Sequence, residues 1–198
     1  MYMPVAEIFQ DNRGSCEQPE APGVTNYLHV QDNKWVVDQL NAGKKLGLMA
    51  SADHTGVAQA FVVVSKLTRE GLCEAFTKRN CFGSTAISII MDFRCNNHLM
   101  GSEIITENAN FELKLMAPEN LEEVQVLQNG KTYKTFAGKG KQADISWQTR
   151  KKQTSEYWYI RVIVENGEIA WSSPIWLTLV YLSASMRNYI VLSPGLWS

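Results

Sequence analysis

The chain has 198 residues, 45% hydrophobic and 20% charged, with a formal net charge of −1. That is enough chain to bury a real core in one domain or two small ones, and it is too apolar to stay disordered. The near-neutral balance argues against a dedicated nucleic-acid binder, and no stretch reaches the roughly 20 apolar residues that cross a bilayer.

The N-terminus lacks the basic and apolar regions of a signal peptide, so the default expectation is a cytoplasmic protein. Four cysteines (Cys16, Cys73, Cys81, Cys95) form no C-x-x-C pair and read as reduced, mostly buried thiols. Val5-Ala6-Glu7-Ile8-Phe9 reads as a short strand running into a polar loop punctuated by Gly and Pro. Residues 33–42 carry Trp35, Val36 and Leu40 at helical spacing, with Gly43 following as a C-cap. Residues 46–51 and 60–65 are continuous apolar runs, the pattern of strands buried on both faces of a parallel sheet. Thr68 then offers an N-cap to a helix with Leu72, Cys73, Ala75 and Phe76 as its apolar stripe. This half reads as α/β.

After Gly83 the pattern changes. Residues 87–94 and 111–116 read as strands, the second alternating cleanly. Asn129-Gly130 and Asn166-Gly167 each separate two strand-like runs and signal hairpins, because both turn residues need positive φ. No helix longer than a turn is expected from residue 84 to 180, which predicts an antiparallel β-sandwich. The expected organisation is therefore an α/β unit over 1–83, a β-sandwich over 84–180 and a tail over 181–198 without an assigned role.

One segment concentrates chemistry: Leu46-Gly47-Leu48-Met49-Ala50-Ser51-Ala52-Asp53-His54-Thr55-Gly56. A strand ending in Asp-His places two ordinary metal ligands at its carboxyl end, where α/β proteins gather reactive groups. Adjacent residues point to opposite faces, so both reach one centre only if the chain turns at Asp53. Read alone, an Asp-His pair is more often a cap or a surface pair than a ligand set. Ser51, Asp53 and His54 are contiguous, whereas the members of a serine-hydrolase triad converge from separate elements. His98 sits in a turn and His29 in a polar segment; both read as structural. Trp158, Trp171 and Trp176 suggest a sugar platform, but core and hairpin packing accounts for them more simply.

The string over residues 46–56, followed by LTREGLCEAFTKRNCFGST and IIMDFRCNNHLMGSE, resembles the carboxyl-terminal part of metallohydrolases of the polymerase-and-histidinol-phosphatase (PHP) superfamily, in the branch related to carbaryl hydrolase. The resemblance extends upstream to VAEIFQDNRGSCEQPEAPG and downstream to YWYIRVIVENGEIAWSSPIW, over roughly residues 4 to 177. It implies the second half of a distorted β/α barrel followed by the β-sandwich. Divalent metals (manganese, zinc or iron) at the barrel mouth would activate water for attack on a phosphoester, ester or amide-like small-molecule substrate. Asp53 and His54 match the late metal motif, and Glu7 ends the strand beside it. Gln10, Arg13 and Glu17 match the neighbouring loop as substrate contacts, with a structural loop role as the alternative.

The His-x-His motif that opens this family's first strand is absent. The reading is thus an incomplete hydrolase with weak metal affinity, completed by a missing amino-terminal half or a homo-oligomer, with no catalytic residue assigned. The alternative is a non-catalytic binding or interaction module built on the β-sandwich. Neither reading involves nucleic acid or a membrane.

Overall fold

The computed structural model describes residues 4–23, 34–54, 56–85, 88–150 and 154–179. The tail over 181–198 and His29 lie outside the described residues. The first elements are β1 (Val5–Gln10), β2 (Gly14–Ser15), α1 (Val36–Asn41), β3 (Gly47–Ser51), β4 (Gln59–Val62) and α2 (Arg69–Thr77). Next come β5 (Cys81–Ser84), β6 (Ile90–Cys95), β7 (His98–Leu99), β8 (Glu103–Ile105) and β9 (Asn108–Met116). The last are β10 (Leu121–Gln128), β11 (Lys131–Ala137), β12 (Gln142–Arg150), β13 (Ser155–Val164), β14 (Ile169–Ser172) and β15 (Ile175–Thr178).

Strand β13 organises these elements because it is apolar on both faces. Its even-numbered residues, Trp158, Ile160, Val162 and Val164, enter one core with Phe93, Phe111, Leu113 and Trp147. Its odd-numbered residues Tyr157 and Tyr159 enter a second core with Ile8, Val36, Leu48 and Trp171. Successive side chains of a strand point to opposite faces, so β13 lies in the middle of three layers. The first layer is the four-stranded sheet β12-β9-β6-β7. The middle layer is an eight-stranded sheet along β11-β10-β13-β14-β5-β4, with β15 pairing β13 and β8 beside it. The third is the small sheet β2-β1-β3 with α1. The first two layers form a β-sandwich, which matches the expectation for the second half.

The outer sheet strand β9 shows why one face suffices there: its burial alternates residue by residue from Asn108 to Met116. Asn129 and Gly130 both take positive φ, 51° and 77°, and close the β10–β11 hairpin as their sequence predicts. At the second Asn-Gly only Gly167 is left-handed, at 85°. There Glu168 O accepts from Val164 N at 3.0 Å, so the connection is wider than a two-residue turn. Helix α2 begins as expected, with Thr68 Oγ1 accepting from Gly71 N at 3.1 Å.

The second half of a β/α barrel is not formed, and this corrects the α/β reading. A barrel repeats parallel strands joined by helices. Among the described residues only β1 with β3, and β15 with β8, run parallel. Helix α2 joins β4 to β5, which are antiparallel neighbours. The apolar run at 60–65 is therefore no doubly buried barrel strand; it supplies β4, the last strand of the middle sheet. That sheet takes strands from both sides of residue 83, since β5 pairs with β14 as well as β4. Gly83 is needed there because a Cβ would lie 2.5 Å from Ala50 N, where β3 crosses the sheet.

Candidate functional site

The residues expected to hold metal do gather, but as neighbours of one another. Glu7 lies in the middle of β1 and Ser51 at the carboxyl end of its parallel partner β3, and Ser51 Oγ donates to Glu7 Oε1. The chain then turns at Asp53, whose φ is 55°. Asp53 Oδ2 accepts from Asn12 Nδ2 at 3.2 Å, and Asp53 Oδ1 lies 3.4 Å from His54 Nε2. The His54 side chain is 85% exposed. Asp11 holds the same turn from the other side, accepting from Ala58 N at 2.9 Å. Among the described residues no group of three or more His, Cys, Asp and Glu could hold a metal ion. The structure thus gives no support to the metal-binding expectation.

The loop residues expected to touch substrate separate. Arg13 is exposed on the turn between β1 and β2. Gln10 is 7% exposed, and its Oε1 is buried without a hydrogen-bond partner. Glu17 is fully buried at 0% exposure. Its carboxylate accepts from Tyr159 hydroxyl at 2.5 Å, Arg161 Nη1 at 2.7 Å and Trp171 Nε1 at 2.8 Å. Glu17 thus fastens the loop after β2 to β13 and β14. Burial, and then the Glu17 charge, push the Tyr159 phenol well above its ordinary value. The tryptophans singled out in sequence are all buried, Trp158 and Trp171 at 0% and Trp176 at 2%, so they build core and no sugar platform. His98 is exposed in β7, and all four cysteines are free thiols.

An apolar concavity lies elsewhere, between the rims of the two sandwich sheets. It holds about 520 Å³ and is lined by Phe61, Val63, Phe82, Ile89 and Met91 among others. Phe61 and Phe82 stack across β4 and β5 with ring centroids 4.7 Å apart. Ile90 at its lip is 64% exposed, and Val57 just before β4 is 62% exposed. Two strand edges border it. Among the described residues strand β4 ends the middle sheet and pairs only with β5. Strand β6 pairs with β7 at Arg94 and Cys95, and among the described residues no strand pairs with Ile90 to Asp92 on that side.

These edges differ in how they are guarded. An open strand edge invites pairing, and proteins blunt it with charge, shortness or cover. Strand β11 carries Lys131 and Lys134, and β12 carries Asp144 and Arg150. Strands β2 and β7 are two residues long. Strand β3 is covered, with Leu48 N donating to Ser173 Oγ at 2.8 Å. Residues 57–65, VAQAFVVVS, carry no charge of their own, and among the described residues the Asp11 carboxylate on Ala58 N is the side chain that meets their start. The sequence signal was present as an uncharged apolar run, but which edge it would occupy depends on strand order.

No protein-family profile matches the chain. Uncharacterised proteins of Chlamydia muridarum and Chlamydia trachomatis are each 28% identical to it, over 60% of this chain and 22% of theirs. The chain thus spans 22% of the length of those curated relatives. Among solved structures, the CARDB domain of PF1109 from Pyrococcus furiosus aligns at 13% identity and a TM-score of 0.34, over 48% of this chain and 95% of that one. A lytic polysaccharide monooxygenase of Jonesia denitrificans aligns at 16% identity and a TM-score of 0.33, over 73% and 93% of the two chains. None of these matches points to the PHP superfamily. Together with the missing barrel, that overturns the resemblance and the hydrolase reading built on it. Among the described residues no helix is long and apolar enough to cross a membrane.

Proposed function

We propose that this chain is a non-catalytic interaction module built on the β-sandwich, and that it takes up an extended segment along β4. The observation that carries this reading is the apolar β4, which among the described residues pairs on one side alone, beside an apolar groove. Strand addition supplies main-chain hydrogen bonds for affinity, and a groove under alternate side chains supplies selectivity.

The test is fluorescence anisotropy with a labelled peptide of residues 57–65, flanked by lysines for solubility. Saturable one-to-one binding is expected. Ala60→Lys on the edge and Ile90→Asp at the groove lip should each weaken it about tenfold or more, equivalent to about 1.4 kcal/mol. Both side chains are exposed, so the fold should survive either change. An unsaturable signal, or one indifferent to both substitutions, would sink the reading.

A further inference from the structure

We infer that Asn166-Gly167 is a modification site of this chain, where the asparagine amide converts to a carboxylate, and that the fold holds the chemically identical pair Asn129-Gly130 inert.

The sequence holds two Asn-Gly pairs. In such a pair the backbone nitrogen of the glycine gives up its proton and attacks Cγ of the asparagine side chain. The new N–C bond closes a succinimide ring, and the side-chain nitrogen leaves as ammonia. Water then opens the ring at either carbonyl and leaves aspartate or isoaspartate, so the net change is one water taken up and one ammonia lost. Glycine suits the attack because it has no side chain to hinder the approach and leaves the backbone free to bend. The step needs a side chain that can swing onto the next nitrogen, a backbone that can follow it, and water at the ring.

At 129 the fold withholds all of these. Asn129 Oδ1 accepts from Tyr157 N at 2.9 Å and Asn129 N donates to Tyr157 O at 2.9 Å, so side chain and backbone are both tied to β13. Freeing that side chain would strand a partly buried donor. Gly130 is buried, and a Cβ there would lie 2.4 Å from Val37 Cγ1, so α1 closes over the turn.

At 166 the same needs are met. Asn166 and Gly167 are both exposed, and among the described residues nothing lies within 4 Å of where a Cβ on Gly167 would stand. Asn166 Oδ1 accepts from Glu168 N at 3.1 Å, a contact inside the turn that ties the side chain to no other strand. Gly167 N donates to Val164 O at 2.8 Å, so the attack waits on the opening of that turn bond, a local event at the exposed end of a hairpin. The products differ in what they do next. Aspartate keeps an acceptor for Glu168 N and adds a charge between Glu165 and Glu168. Isoaspartate inserts a methylene into the backbone beside the bond from Val164 N to Glu168 O that closes the turn.

The experiment ages the full chain in mildly alkaline buffer, folded and in strong urea. Peptide mapping by mass spectrometry follows both sites, and isoaspartyl methyltransferase labelling marks isoaspartate. In the folded protein Asn166 should convert about tenfold or more faster than Asn129, a ratio equal to about 1.4 kcal/mol of barrier. In urea the two rates should converge, and in folded Asn166→Gln the methyl label should disappear. Equal rates in the folded protein, faster conversion at Asn129, or a folded Asn166 that stays intact while the urea-treated chain converts would each overturn the inference. A ratio that persists in urea would put local sequence in place of the fold and overturn the protection assigned to Asn129.

Discussion

Glu17 and Asp53 are both carboxylates on loops that leave the small three-stranded sheet, and they meet opposite fates. Glu17 leaves β2 toward the middle sheet, becomes fully buried and collects three donors from β13 and β14. Asp53 leaves β3 in a left-handed turn, and its partners are the amide of Asn12 and the exposed ring of His54. A carboxylate is worth most where water is excluded and every lone pair is met, and little where solvent screens it. The residue that looked like chemistry is a surface turn, and the residue that looked like a loop contact is an anchor.

The sharpest way to break that contrast is to empty the anchor. Glu17→Ala leaves the Arg161 guanidinium, only 5% exposed, without its counter-charge. Removing one partner of such a buried pair costs about 3–5 kcal/mol. The urea midpoint should fall accordingly with the slope unchanged. Replacing both, Glu17→Leu with Arg161→Met, should recover much of the loss, because no charge is then stranded.

A second, smaller effect follows from the phenol of Tyr159, which donates to Glu17. Its ionisation is pushed upward in the folded protein, first by burial and then by the Glu17 charge. The unfolded chain releases that proton near pH 10, while the folded one holds it. Stability is therefore fully present below pH 10 and declines as pH rises beyond it, by about 1.4 kcal/mol per pH unit for one such group. Tyr159→Phe should cost stability at pH 7 by removing a hydrogen bond, yet flatten the alkaline decline by one proton's worth. Urea titrations at a series of alkaline pH values give both quantities; an unchanged slope would detach Tyr159 from the anchor.

How far sequence reasoning reached follows the range of each interaction. The hairpin at Asn129-Gly130, the cap at Thr68 and the alternation of β9 were legible because each is set by residues a few positions apart. The run 157–164 was legible only as one arm of a hairpin; its burial on both faces, with Arg161 inside it, depends on partners far away in sequence. Strand β12 escaped notice because its inward residues Ala143, Ile145 and Trp147 sit among polar ones with little total hydrophobicity. The same limit misplaced residues 60–65. A continuous apolar run reads identically in a barrel interior and at a sheet edge beside a groove, and only the antiparallel pairing with β5 separates the two. For the site, adjacency in sequence was mistaken for convergence in space. Asp53 and His54 follow the end of β3 while Glu7 lies mid-strand in β1, and among the described residues no three such donors gather about one centre.

The smallest expected effect therefore decides the most about Asp53 and His54. Asp53→Asn keeps a residue type that tolerates φ of 55°, and His54→Ala removes an exposed ring. Surface substitutions of this kind shift stability by about 0.5 kcal/mol or less. A ligand that binds only the folded state raises the melting temperature by mass action, so a working site would announce itself on titration. With two donors hydrogen-bonded to their own loop, added manganese or a chelator should move the melting temperature of neither wild type nor the double variant. A rise with manganese in the wild type that vanishes in the variant would restore Asp53 and His54 as ligands. It would also mean that the turn opens in solution far enough to admit a third donor, which the contacts of Asp11, Asn12 and Ser51 now hold closed.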